Sequence, residues 1–168
     1  YYQGTGGGDD ALAGFDEIFF DLDGVRSVFE RIFVSDRIAR QIAFLYEADR
    51  LKTVRRANVL MDLSRSENSA EHSWHAALWA MVFGGSDRAI AMLLLHDLVE
   101  IDAGDQPIHL DHDAAALARA EARAADRIFG LAGDSGDLRG IWAEFEAAAS
   151  SDANFAKRMD HANPLLQV

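Results

Sequence analysis

The chain has 168 residues, 49% of them apolar, which is one domain's worth of sequence with enough hydrophobic mass to bury a core. It has no cysteine, which excludes disulfides, zinc–thiolate centres and cysteine nucleophiles. A formal net charge of −12 argues against sequence-independent nucleic-acid binding, because the phosphate backbone would be repelled; a small phosphorylated ligand held through a cation or an arginine is still compatible.

In chain order, residues 1–9, YYQGTGGGD, are Gly-rich and read as a disordered tail. With a short helix after them they make an expected N-terminal extension over 1–35, ahead of a helical domain over 36–168. From Asp36 to about Asp62 the spacing is helical, with Ile38, Ile42, Leu45, Leu51 and Val54 recurring at three and four residues. Ser69 is a plausible N-cap for a helix over 70–83, closed by Gly84-Gly85, and Ser86 or Asp87 caps a second over about 88–101, ended by Gly104. Residues 102–113 read as a loop. Ala-rich helices follow over about 113–130 and 137–149, with a last one from about Asp152 onward. β-branched residues are sparse and no period-two alternation persists, so the expected fold class is all-α, a compact bundle of five or more helices.

No charged-then-apolar leader opens the sequence. The longest purely aliphatic run, Ala89 to Leu95, is far short of the ~20 residues a bilayer requires. A soluble protein without membrane contact is expected, with the cytoplasm as the default location.

The six histidines are unevenly placed. His96-Asp97 interrupts an otherwise apolar helix, where an ionised Asp is costly unless it is paired, hydrogen-bonded or bound to a metal. Glu100 follows four residues after His96 and projects over the same side. A second helix can offer His72 and a third Asp160. Two imidazoles with two carboxylates suit one divalent ion such as Mn²⁺, Co²⁺, Fe²⁺ or Zn²⁺, with positions left for water and a substrate oxygen. Such an ion lowers the pKa of water and polarises a phosphoryl group. Glu100 or Asp105 would orient that water or carry its proton, and Arg55 and Arg56 would meet phosphate oxygens. His75, His109, His112 and His161 read as ordinary polar residues.

The motifs Arg55 with Asn58, Glu67 to Trp74 (ENSAEHSW), Leu93 to Asp105 (LLLHDLVEIDAGD) and Ala156 to Leu166 (AKRMDHANPLL) together resemble the HD-domain metal-dependent phosphohydrolases. The fuller pattern is similar to the branch containing 5′-deoxyribonucleotidases. The resemblance implies His72, His96, Asp97 and Asp160 as metal ligands, Glu100 as a catalytic carboxylate, Asp105 in the substrate or proton-transfer shell, and Arg55 as a phosphate contact. It also implies a homodimer and a nucleoside or deoxynucleoside 5′-monophosphate as substrate. Two departures stand out: the residue after Arg55 is Arg56 where the bacterial nucleotidases have Trp, and the first 35 residues match nothing in the family.

Three rival readings have weaker support. The segment Ile18 to Val25 (IFFDLDGV) looks like the first motif of haloacid-dehalogenase phosphatases, with Asp21 and Asp23 in the active roles, but no alternating βα pattern follows it. A metal-holding ligand sensor would not need Glu100, Asp105 and Arg55. Phosphodiester or triphosphate hydrolysis within the same superfamily is the nearest competitor.

Overall fold

A computed structural model describes residues 36–105 and 113–166. The Gly-rich tail, the IFFDLDGV segment, and His109, Asp111 and His112 of the expected loop lie outside the described residues. Backbone contacts divide the chain after Ala39, and the packing discussed below belongs to the second unit, Arg40–Val168.

The all-α expectation holds with one small exception. Helix α1 covers Asp36–Asp49 and gives way to a 3₁₀ turn, Arg50–Thr53. A short antiparallel pair follows, β1 (Arg55–Val59) and β2 (Ser66–Asn68), with Arg55 opposite Asn68 and Val59 opposite Ser66. The helical stretch expected to reach Asp62 therefore stops at Asp49. Leu51 and Val54 keep helical spacing because Leu51 lies in the 3₁₀ turn and Val54 ends it, its N–H donating to Leu51 O at 3.2 Å. Beyond them the side chains alternate, with Arg55 exposed, Arg56 turned inward and Ala57 exposed. Five residues with two arginines give too short a pattern for that alternation to register.

Helix α2 spans Ser69–Val82. Its N-cap is Asn68, one residue before the expected Ser69. The Asn68 side chain accepts from the Glu71 N–H at 3.0 Å, and Glu71 Oε2 accepts from the Asn68 N–H at 3.0 Å, which closes a reciprocal capping box. At the other end Gly84, at φ +77°, takes the left-handed turn; the Gly84 and Gly85 N–H groups donate to Met81 O and Ala80 O, a Schellman ending.

Ser86 caps helix α3, Asp87–Leu95, through its Oγ accepting from the Ala89 N–H. The chain then tightens into a 3₁₀ turn, His96–Val99, before a one-turn helix α4, Glu100–Ala103, ended at Gly104. Helices α5 (Ala114–Leu131), α6 (Leu138–Ala147) and α7 (Ser151–Ala162) complete the described bundle, and a 3₁₀ turn Asn163–Leu166 follows α7. No helix among the described residues is long and apolar enough to cross a membrane.

One apolar cluster joins α1 and α5 around Phe44, Leu51, Ile128, Phe129 and Trp142. The other joins α2, α3, α6 and α7 through Ala76, Ala80, Met92, Leu93, Phe145 and Ala156. In this second cluster the small alanine side chains let helix backbones approach closely. Three of its helices, α2, α3 and α7, carry a buried row at three- and four-residue spacing. On α2 the row is Ser69, His72, Ser73, Ala76, Ala77 and Ala80; on α3 and its continuation it is Ala89, Met92, Leu93, His96 and Asp97. On α7 it is Ala153 and Ala156, with Asp160 one turn further. Each row is apolar at one end and polar at the other.

Candidate metal centre

The polar ends of these rows converge. His72, His96 and Asp97 each present a ligand atom, all within 4.8 Å of one another and all buried. From α7, Asp160 Oδ1 lies 2.8 Å from His72 Nε2 and 3.5 Å from His96 Nε2, and Asp97 Oδ1 lies 3.0 Å from His96 Nε2. The α-helix tightens to 3₁₀ at His96, a local change that often marks a functional position. The His96 Nδ1–H donates to Leu93 O at 2.8 Å, so in the neutral ring that binds a metal the lone pair is on Nε2, facing the carboxylates.

Negative charge dominates the cluster. Burial would lower the His96 pKa, but the adjacent Asp97 and the Asp160 hydrogen bond outweigh it and push the ring up to about 9. Burial would raise Asp160, but hydrogen bonds from His72 and His96 hold it well below the usual carboxylate range. His72 Nδ1 is a buried polar atom with no hydrogen-bond partner among the described residues. A site that would otherwise hold a proton on His96, and in which two imidazole Nε2 atoms converge with two carboxylates, is a good fit for a divalent cation. The donor set of two imidazole nitrogens and two carboxylate oxygens matches Zn²⁺, Fe²⁺, Co²⁺ or Mn²⁺.

Around these four residues the structure gathers the expected acids. Glu100 Oε2 accepts from Ser69 Oγ at 2.5 Å. Burial and then the Asp97 charge push Glu100 up to about 8, against the pull of Ser69 and Arg56. Arg56 points inward: its NH1 lies 3.3 Å from Asp97 Oδ2, 3.7 Å from Asp105 Oδ1 and 3.9 Å from Glu100 Oε1. Its Nε is 3.4 Å from Glu67 Oε1. Arg55, on the other face of β1, is exposed, with NH1 donating to Ser66 O at 3.4 Å, and it is not brought to the cluster.

His75 has an ordinary polar setting, accepting from Trp79 Nε1 at 3.2 Å and meeting the Asn163 amide at 3.1 Å. His161 is exposed, 3.8 Å from Asp160 Oδ2.

Three contributors went unassigned in the sequence. Ser69 and Ser73 flank His72 on its own helical row, and Ser73 Oγ donates to Asp97 Oδ2 at 3.3 Å. Their signal was position: they sit three residues before and one after His72, on the same face. Glu67 is 1% exposed with its Oε1 3.7 Å from His72 Nδ1; nothing in a three-residue strand announces a buried acid.

Comparison with known proteins agrees with this geometry. The model of the HD domain family matches residues 48–168. A human protein named 5′-deoxynucleotidase HDDC2 is 29% identical over 134 residues, which is 76% of this chain and 66% of that protein's length; its bovine counterpart is 28% identical over 143 residues. The chain thus spans about two thirds of the length of these relatives. A crystal structure from Magnetospirillum magnetotacticum MS-1, described as a predicted metal-dependent phosphohydrolase, superposes with a TM-score of 0.74 at 42% identity, covering 80% of this chain and 72% of that one. A conserved hypothetical protein from Pyrococcus furiosus shares the fold at a TM-score of 0.58 and 20% identity. With the His–His-Asp–Asp order placed at one point in a helical bundle and the family model covering the whole region that builds it, this chain belongs to the HD-domain family of metal-dependent phosphohydrolases.

Proposed function

We propose that this chain hydrolyses a phosphate monoester, a nucleoside or deoxynucleoside 5′-monophosphate, at a single divalent cation held by His72, His96, Asp97 and Asp160. The observation that carries the reading is the convergence of two buried imidazole Nε2 atoms with Asp97 and Asp160 beside a third acid, Glu100, which a purely structural metal would not require. A cation bound there supplies Lewis acidity, polarising the phosphoryl group and acidifying water.

The chain's own residues do the rest. Ser69 fixes one oxygen of Glu100 and leaves the other to orient the attacking water. Burial and the Asp97 charge push Glu100 up to about 8; a cation beside Asp97 would oppose that push, so Glu100 would ionise more readily and take the proton from water. Asp105, whose Oδ1 lies 3.7 Å from the Arg56 guanidinium, is assigned to the shell that relays a proton towards the leaving oxygen. Arg56, which is turned inward, is assigned the non-bridging phosphate oxygens, and Arg55 is assigned no contact with the reacting group. The domain responsible is taken as 36–168, with 1–35 an extension, and a homodimer belongs to the same reading.

The test is phosphate release from a panel of nucleoside and deoxynucleoside monophosphates, using metal-stripped protein re-supplied with Mn²⁺, Co²⁺, Mg²⁺ or Zn²⁺. Metal-dependent release from 5′-monophosphates supports the proposal. Release only from diesters or triphosphates moves the reading to the neighbouring hydrolase class, and silence across the panel despite tight metal binding sinks the enzymatic reading. Light scattering that gives the mass of one chain would count against the homodimer.

A further inference from the structure

We propose that Glu67 is a positioning residue for His72, holding the imidazole proton on Nδ1 so that Nε2 is presented to the cation, with Arg56 clamping the Glu67 carboxylate. The proposal rests on the metal-centre reading above and deepens it.

The argument begins with burial. Glu67 is 1% exposed and His72 is fully buried, and an acid so deep in a helical bundle is expensive unless something positive or proton-bearing faces it. Both conditions are met at the same oxygen: Glu67 Oε1 lies 3.4 Å from Arg56 Nε and 3.7 Å from His72 Nδ1. A neutral imidazole binds metal only through the nitrogen that carries no proton. His72 Nε2 is the atom turned to Asp160 and the ligand cluster, so when it ligates, the proton must sit on Nδ1. That N–H is buried and has no hydrogen-bond partner among the described residues, so it needs an acceptor at the position Glu67 occupies.

The second histidine gives an internal comparison. His96 has the same requirement, and the backbone carbonyl of Leu93, 2.8 Å from Nδ1, meets it. The two rings are thus held in one tautomer by different acceptors, a carbonyl for His96 and a carboxylate for His72. A carboxylate acceptor also raises the basicity of the ligating nitrogen.

The hairpin then has a purpose in an otherwise helical fold. Strand β1 turns Arg56 inward and β2 buries Glu67, so two short strands deliver a cation and an anion behind the helices that carry the ligands. Arg56 ties the arrangement together, since its Nε faces Glu67 while its NH1 faces Asp97 Oδ2. One guanidinium thereby braces the support of His72 and a second candidate ligand.

The experiment measures Co²⁺ affinity of the metal-stripped full chain, by competition with a chromophoric chelator, for the parent, Glu67→Gln, Glu67→Met and His72→Ala. Loss of an outer acceptor of this kind weakens metal binding roughly 10- to 100-fold, which is the expectation for Glu67→Met. Glu67→Gln keeps an oxygen that accepts from Nδ1–H and is expected to stay close to the parent. A Glu67→Met protein with parental affinity overturns the proposal, provided His72→Ala has lost binding. Glu67→Gln as weak as Glu67→Met also overturns it, because charge against Arg56 would then be what matters. Parental affinity in His72→Ala instead sinks the metal-centre reading itself. Should Glu67→Met fail to fold, proton NMR of the Co²⁺-loaded parent and Glu67→Gln decides: a hyperfine-shifted, slowly exchanging His72 Nδ1–H is expected in both, and its absence in the parent overturns the assignment.

Discussion

The two ends of the buried rows on α2, α3 and α7 are built on opposite terms. At one end Ala76, Ala80, Ala89, Met92, Leu93, Ala153 and Ala156 pack without a polar side-chain atom to satisfy, so that end asks nothing of protons or a metal. At the other end, one or two turns along the same helices, His72, His96, Asp97 and Asp160 bury ionisable groups whose balance depends on protons or a cation. The close helix approach set by the alanines fixes where the ligands meet, while the ligands add little that the apolar end needs. Lesions at the two ends should therefore separate stability from metal binding.

The largest separation is expected from His96→Ala or Asp97→Ala. Each should weaken metal binding by more than the ~100-fold that an outer-shell partner is worth and abolish turnover. The thermal midpoint of the metal-free protein should move far less than its metal-bound counterpart. Calorimetry with and without Co²⁺ checks this; equal losses in both states would break the comparison.

Glu100→Gln is next. Metal content, read by elemental analysis, should stay at the parental level while the turnover number falls ~10²- to 10⁴-fold, the range for a general acid–base group. Loss of metal instead would place Glu100 among the ligands.

Leu93→Ala tests the other end. Removal of this fully buried side chain should cost about 2–5 kcal/mol in denaturant unfolding, with metal stoichiometry unchanged.

A further test concerns pH. His96 and Glu100 have folded pKa values of about 9 and about 8, both above their unfolded values of roughly 6.5 and 4.3. For a raised pKa the stabilisation is complete below the unfolded value and is lost as pH rises through the folded one. The metal-free protein should therefore lose thermal stability between about pH 5 and 9. The loss should be less than the sum of the two groups because both respond to Asp97. Saturating Co²⁺ should reverse it, since a cation takes the place of the protons. A metal-free midpoint that climbs with pH over that window would contradict the electrostatic account of the polar end.

Much of this was visible in order and spacing. His96-Asp97 inside an apolar run, Glu100 one turn later, and the punctuation at Ser86, Gly84-Gly85 and Gly104 all report local physics, helix periodicity and termini that a linear pattern carries. The overrun of α1 into 50–62 has the converse cause. A strand of five residues exists only because β2 pairs with it, and a helical rhythm in Leu51 and Val54 masks its start. The cap at Asn68 rather than Ser69 was decided by which side chain reaches the Glu71 N–H, a matter of ångströms rather than residue type. Arg55 and Arg56 were indistinguishable as neighbours until the pleat put them on opposite faces.

By itself the sequence determined that the protein is helical, that helices start near Asn68, Ser86 and Asp113, and that two histidines and several acids lie on faces otherwise apolar, because propensity, capping and periodicity act over a few residues. The tertiary structure alone decided that His72, His96, Asp97 and Asp160 meet at one point, that Arg56 rather than Arg55 faces them, and that Glu67 stands behind His72. Convergence, burial and the resulting electrostatics depend on distances between segments far apart in the chain, and those distances are set by how closely the alanine-lined helices pack.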